Sequence, residues 1–542
     1  MDRKLPLKVA DAVHQNECHD LVFAFVAAVG VNLPIAEAAF NASLKRFGYE
    51  VNEIKITRDV ITRICDASER EGESAFSRIG RMMDLGTAAR KKHGWRILAE
   101  GVAAGIQQLK VTPLAEGKRA RAFIIHSLKH PDEVACLRTI YQRNFYLIGI
   151  HTAPEMRKQN LSEIRGMSRD EAENLMRRDR REDSDEGQHV NETFHLADFF
   201  IGWPGDENLK NTSPYLPGFP QEKMAQLKGV NVQRISNSID RFLDVIHGHP
   251  NHTPTFGEHA MYLAFTAALR SADLSRQVGA VLARSGEILS TGANDCPAAG
   301  GGLYWSHFDT ATGAIIDVES GRDYKRGFDS NVAEQTKVVR RILRDACRSG
   351  FLKEDIQKLR TILNKSPIRS LTEYGRVVHA EMEALMSCAR QGISTKEATL
   401  YSTTFPCHNC AKHIIAAGVD RVVFIEPYLK SKAFEFHKEA MAISYPQNRK
   451  PGKRRPSQPV QFEPFFGIGP RRFFDLFSMH HGVGTKMDRK EKNGKALGWA
   501  PLVALLRLSS SSAIVEAFEK QAAERFENIV NMNENTCCTM SG

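Results

Sequence analysis

Two short clusters constrain this chain more than any other feature: His379-Ala380-Glu381 and, further on, Pro406-Cys407-His408-Asn409-Cys410. One imidazole and two thiolates make three protein ligands for a tetrahedral Zn2+ ion, which keeps a fourth position open, the pattern of a catalytic site. Cys407 and Cys410 stand three apart at the start of a predicted helix, so both sulfurs face one direction and the helix N-terminus favours thiolates. His379 opens another predicted helix. Glu381, two residues on, is the candidate catalytic residue, a carboxylate that can take a proton from water and hand it on. A Cys-x-x-Cys pair also serves redox chemistry, or a closed structural site with His408 or His413 as fourth ligand. The His379–Glu381 cluster and the strand between the two clusters favour the open site.

The remaining cysteines agree with that reading. Ten are scattered through 542 residues, which is not the density of a disulfide scaffold. The N-terminus shows no apolar stretch leading to a cleavage site, and no apolar run approaches the ~18 residues of a membrane span. The expectation is a cytoplasmic protein without membrane partners. At 542 residues the chain exceeds one compact domain. Its net charge of +10 suits either nucleic acid or anionic small molecules.

Strand-like runs alternate with helical segments, which predicts an α/β fold with parallel sheets. Leu21–Val29 reads as a buried strand, followed by a turn and a helix from Pro34 to about Phe47. Further strands are expected at Ala122–Ile125 and Phe145–Ile150, and helices at Pro131–Tyr141, from Ser168 to about Arg181, and at Val230–His247. A second unit starts at Thr255 with a capping box to Glu258 and a helix His259–Ala272. Strands Val278–Ala283 and Ile288–Thr291 follow, then a polar insertion over 295–370. After it come helix His379–Arg390, strand Thr399–Thr403, helix Cys407–Ala417 and strand Arg421–Ile425. The expected domains are 1–250, 251–480 and a polar C-terminal tail, 481–542.

The segments Val378-His379-Ala380-Glu381-Met382 and Leu400–Lys412, with Ser271–Val281 and Gly292-Ala293-Asn294-Asp295, make residues 255–445 similar to the deoxycytidylate deaminase group. The resemblance implies an α/β/α cytidine-deaminase-like domain, in which Glu381 shuttles protons to the pyrimidine N3 and the leaving amine. It also implies that Asn294 holds the deoxyribose. That group commonly has Asn where this chain has Glu383; a carboxylate there repels a substrate phosphate unless it is turned away or the phosphate contacts are rearranged. Arg276, beside a strand start, and Lys430 and Ser431, just after a strand end, are candidate substrate-phosphate contacts.

Residues 20–48 have the strand–turn–helix context of a phosphate-binding loop, but Leu33 stands in place of the lysine and Pro34 in place of the magnesium-binding hydroxyl. Phosphoryl transfer is therefore not expected; Gly30 and Asn32 remain candidate nucleotide contacts of a degenerate loop, and a purely structural domain is the other reading. A degenerate P-loop kinase-like half joined to this second half resembles the bacterial anti-phage dCTP/dCMP deaminases, with support from 126–134, 187–198, 300–305 and 425–431. That resemblance implies a deoxycytidine nucleotide substrate, depletion of nucleotides as antiviral defence, a homo-oligomer, and in some members an inhibitory RNA. The alternatives are a cytosine deaminase acting on single-stranded RNA or DNA, and a non-catalytic nucleotide or RNA sensor.

Overall fold

The computed structural model describes residues 19–65, 70, 72–180, 186–203, 230–426, 432–444, 458–479 and 486–540. They fall into two compact units: one drawn from 1–258, 426–429 and 464–542, the other from 259–425 and 430–463.

The first unit is built on β1 (Leu21–Ala27), whose seven residues are all buried. A continuous apolar run without alternation is what a strand covered on both faces requires. Pro34 starts α1 (Leu33–Lys45). Then come β2 (Tyr49–Lys55), α2 (Ala75–His93), α3 (Ile97–Val111), β3 (Ala120–His126), α4 (Pro131–Tyr141), β4 (Phe145–Thr152), α5 (Arg169–Arg180), β5 (Phe199–Trp203) and α6 (Val230–Ile246). The sheet order is β5-β4-β1-β3-β2, all parallel, with a short strand Gly467–Ile468 antiparallel on β5. Two helix starts are fixed by side-chain caps. Ser168 and Glu171 form the expected capping box at α5. The His130 side chain accepts the Asp132 N–H at 3.2 Å at the start of α4. α6 lays Ile235, Ile239, Phe242 and Ile246 on the core, with Phe242 stacked on Phe199 at 4.3 Å.

The stretch expected as a polar tail contains helix Ser512–Met540. It buries Val515, Ala523, Phe526 and Val530. Gly101 of α3 makes room for it: a Cβ there would stand 2.6 Å from the Phe526 ring. Arg525–Glu100 at 2.8 Å and Lys110–Glu519 at 3.0 Å flank the contact. The segment is therefore part of the first unit's packing, because a narrow apolar stripe lies within a mainly polar sequence.

The second unit begins within α7 (Phe256–Ala268), which ends sooner than the expected Ala272. β6 (Gly279–Arg284) and β7 (Glu287–Ala293) form a hairpin whose two turn residues, Ser285 and Gly286, have φ of 53° and 84°. Positive φ at both positions matches the twist of flanking strands. The insertion carries α8 (Ser330–Arg348) and α9 (Lys353–Lys365). After it come α10 (Ala380–Arg390), β8 (Thr399–Ser402), α11 (His408–Ala416), β9 (Arg421–Phe424), β10 (Met441–Ile443) and β11 (Val460–Pro464), giving the mixed sheet β10-β11-β9-β8-β6-β7. Two glycines set how closely helices approach it. A Cβ on Gly279 would lie 1.8 Å from the Ala264 carbonyl of α7, and one on Gly292 would lie 2.1 Å from the Ala380 carbonyl of α10. The register pairs Gly279 with Ala293 and Ala280 with Gly292, so these contacts are on opposite faces and helices cover both. Among the described residues, no helix is long and apolar enough to cross a membrane.

Candidate metal centre and its surroundings

The two ligand clusters meet at two helix N-termini. His379 is the residue before α10 and Cys407 the residue before α11, both in extended backbone. The His379 Nδ1 lies 3.3 Å from the Cys407 Sγ and 3.3 Å from the Cys410 Sγ. Ligands on one tetrahedral zinc ion, with bonds of about 2.0 and 2.3 Å, stand about 3.6 Å apart. The donor set, its spacing and its burial therefore fit a zinc ion. Cys407 also accepts the Cys410 N–H at 3.4 Å, so the helix start itself orients the sulfur. Behind the turn, Phe405 packs edge-on to Phe424 at 4.9 Å and fixes where Pro406 and Cys407 emerge.

Electrostatics favour ion binding. The Cys407 thiol is held down to about 3 by the Cys410 thiol and by His379. The Cys410 thiol is pushed well above its ordinary value by the Cys407 sulfur and by burial, and His379 is pushed up to about 9 by Cys407. Ligands that share protons in this way release them to a dication together, so acid competes with metal. Glu381 is 3% exposed, and burial raises its carboxyl above the usual range, so it can both take up and yield a proton.

The expected substrate contacts fare differently. Asn294 follows β7 and is buried; its Oδ1 accepts the Val278 N–H at 2.6 Å and its Nδ2 donates to the Arg276 carbonyl at 2.8 Å. Its amide thus fastens the loop that carries Arg276, whose own side chain is exposed. Asp273 on the same loop adds a small upward push to His379 through its charge. Lys430 and Ser431 lie outside the described residues. Glu383 is buried and takes a 2.6 Å hydrogen bond from Arg390 on the same helix. That ion pair binds the charge expected to repel a phosphate.

The structure also ties the insertion to the centre, which no local signal announces. Asp295 and Val378 form an isolated antiparallel bridge, so the insertion leaves beside Asn294 and returns beside His379. Its root is a polar cluster. Arg270 stacks over Trp305 at 3.5 Å, Arg322 approaches Asp295 at 3.5 Å and Asp317 at 3.2 Å, and both arginines donate to the Tyr304 carbonyl.

In the first unit, Gly30 and Asn32 do sit in a tight turn after β1, with φ +88° at Gly30. The buried Asn32 Oδ1 has no hydrogen-bond partner, but much of the remaining turn is satisfied from within the fold. The Val29 N–H donates to the Asp179 carboxylate at 2.7 Å, and Lys129 reaches both Asp179 at 2.9 Å and the Ala27 carbonyl at 2.7 Å. Asn160 donates to the Gly30 carbonyl at 2.9 Å. A buried carboxylate from α5 thus takes the place beside the loop that an anion would occupy.

Residues 254–426 match the family model described as the cytidine and deoxycytidylate deaminase zinc-binding region. The chain is 30% identical over 174 residues to the deoxycytidylate deaminase of Enterobacteria phage T2, covering 32% of this chain and 80% of that protein. It is 41% identical over 54 residues to the human deoxycytidylate deaminase, covering 10% of this chain and 29% of that one. A crystal structure of the dCMP deaminase from cyanophage S-TIM5 in apo form aligns with a TM-score of 0.20 at 17% identity, over 40% of this chain and 100% of that one.

Proposed function

Because the chain belongs to the cytidine and deoxycytidylate deaminase family, we propose that it hydrolyses free deoxycytidine nucleotides, dCTP or dCMP, to dUTP or dUMP and ammonia. The enzyme is a nucleotide cytosine deaminase. One observation carries the reading: a fully buried Glu381 on the first turn of α10, beside the converging His379, Cys407 and Cys410.

In this reading the C4–N bond of cytosine breaks and a C4–O bond forms. Zinc held by His379, Cys407 and Cys410 supplies, when bound, the Lewis acidity that makes a water nucleophilic near neutral pH. Glu381 takes the proton from the attacking water, gives it to the pyrimidine N3, and then carries a proton to the departing amine. Its low-dielectric surroundings favour the protonated form it passes through. Asn294 keeps one amide N–H and one carbonyl lone pair beyond its two loop bonds, enough to meet a sugar hydroxyl. Arg276, Lys430 and Ser431 are the residues we assign to the phosphates.

We further read the first 250 residues as a degenerate P-loop kinase-like domain, with the whole enzyme depleting nucleotides as antiviral defence. The homo-oligomer and the inhibitory RNA belong to that same proposal. The deciding experiment offers zinc-loaded protein dCTP, dCMP, CTP, deoxycytidine and single-stranded oligonucleotides. Turnover of dCTP or dCMP is expected. Uracil formed only in the oligonucleotides would overturn the reading.

A further inference from the structure

The carboxyl ends of β2 and β3 hold a second group of metal-ligating side chains, far in chemistry from the sulfur-rich centre. Glu53 lies near the end of β2, His126 ends β3, and Glu37 faces them from α1. One ligand atom from each lies within 4.8 Å of the others, and the His126 Nε2 is 3.5 Å from a Glu37 oxygen. Two atoms on one ion with bonds near 2.1 Å are separated by at most about 4.2 Å, so small side-chain rotations close this set. The His126 Nε2 is shut off from solvent and has no hydrogen-bond partner. A buried imidazole nitrogen left this way beside two carboxylates is costly without a ligand.

We propose that Glu37, Glu53 and His126 form a second metal site, for a borderline divalent transition-metal ion of the Mn2+, Fe2+ or Zn2+ kind. Two carboxylates and one imidazole suit these ions better than the thiolate-selecting kind, and three protein ligands leave positions for water or an anion. The charges around the site leave room for a dication. Lys55 stands opposite His126 in the strand register and Arg58 lies close, while Asp59 is bonded to Arg58 and to the Lys55 amide. With the Arg58–Asp59 pair set aside, two glutamates face one lysine. Location agrees: in open parallel sheets ligands bind outside the carboxyl ends of the strands, and β3 neighbours the central β1.

The test uses the full chain loaded with one equivalent of zinc and then titrated with Mn2+, the unbound ion being counted by electron paramagnetic resonance. One Mn2+ per chain is expected, with nitrogen hyperfine coupling from His126 in the spin-echo spectrum. Glu53→Gln and, separately, His126→Gln should weaken Mn2+ binding by at least ~100-fold, since even outer partners of a metal ligand cost 10–100-fold, while the zinc stays bound. Zinc-replete wild-type protein that takes up no Mn2+ would overturn the proposal. So would bound Mn2+ lacking nitrogen coupling, or variants that retain zinc and bind Mn2+ as the wild type does. Should one variant fail to fold, the other variant and the wild-type spectrum decide the matter.

Discussion

The turn after β1 and the turn before α11 share a backbone plan: a buried strand, a tight loop, and a helix whose first N–H groups point back towards the loop. After β1 the side chains that would act on a phosphate are replaced by Leu33 and Pro34, and the Val29 amide is answered by Asp179 from within the fold. Before α11 the same plan carries Cys407 and Cys410, and the partner that meets them is His379, a ligand rather than a counter-charge. A helix N-terminus attracts an anion in both cases. Whether that attraction becomes a site depends on whether the fold supplies its own anion.

The comparison can be broken at four points. Cys407→Ala should have the largest effect: metal content falls below one ion per chain and deamination is lost, measured by elemental analysis and by uracil formation. Full activity in that variant would remove the cysteine from the centre. Glu381→Gln should keep the metal yet lower kcat by about 10²–10⁴-fold, and a smaller loss would point to another proton carrier. Asp179→Ala opens the other turn. It leaves Lys129 with the Ala27 carbonyl but without its carboxylate, and strips the acceptor from the Val29 N–H, so denaturant titration should show about 3–5 kcal/mol lost, with metal content unchanged. An unchanged midpoint would mean that the carboxylate does not hold the turn.

The smallest expected effect is one of pH. His247 is buried, stacked on Phe47 at 4.0 Å, and its two ring nitrogens meet the Leu243 carbonyl and the Tyr49 hydroxyl. Burial lowers it to about 4. A depressed folded value means that the unfolded chain binds the proton more readily. The contribution is complete above about pH 6.5 and is lost as pH falls from there through 4. Between pH 7 and 5 the first unit should lose about 2 kcal/mol through this residue alone. Denaturant midpoints across that range, compared with those of His247→Gln, check the slope.

Much of the fold is legible in the sequence where one residue type dominates a segment. β1 is a continuous apolar run, and the capping boxes at Ser168 and Thr255 form as their spacing indicates. β2 is not legible, because as the edge strand it alternates polar residues with few buried ones. Helix Ser512–Met540 escapes notice because its buried stripe is diluted by charged neighbours. The candidate centre is legible as a set of ligands and a proton carrier. Its surroundings are not: Arg270, Arg322 and Trp305 come together only through the bridge between Asp295 and Val378.

The sequence by itself determined the chemistry available at each position: one imidazole, two thiols and a carboxylate in one place, a loop without lysine in another. Only the tertiary structure decided which of these groups are free to act. Glu383 is bound by Arg390, Asn294 fastens the Arg276 loop, and Asp179 closes the β1 turn. The reason is physical. A side chain's identity is local, but whether a buried charge or donor is already satisfied depends on neighbours brought from elsewhere in the chain.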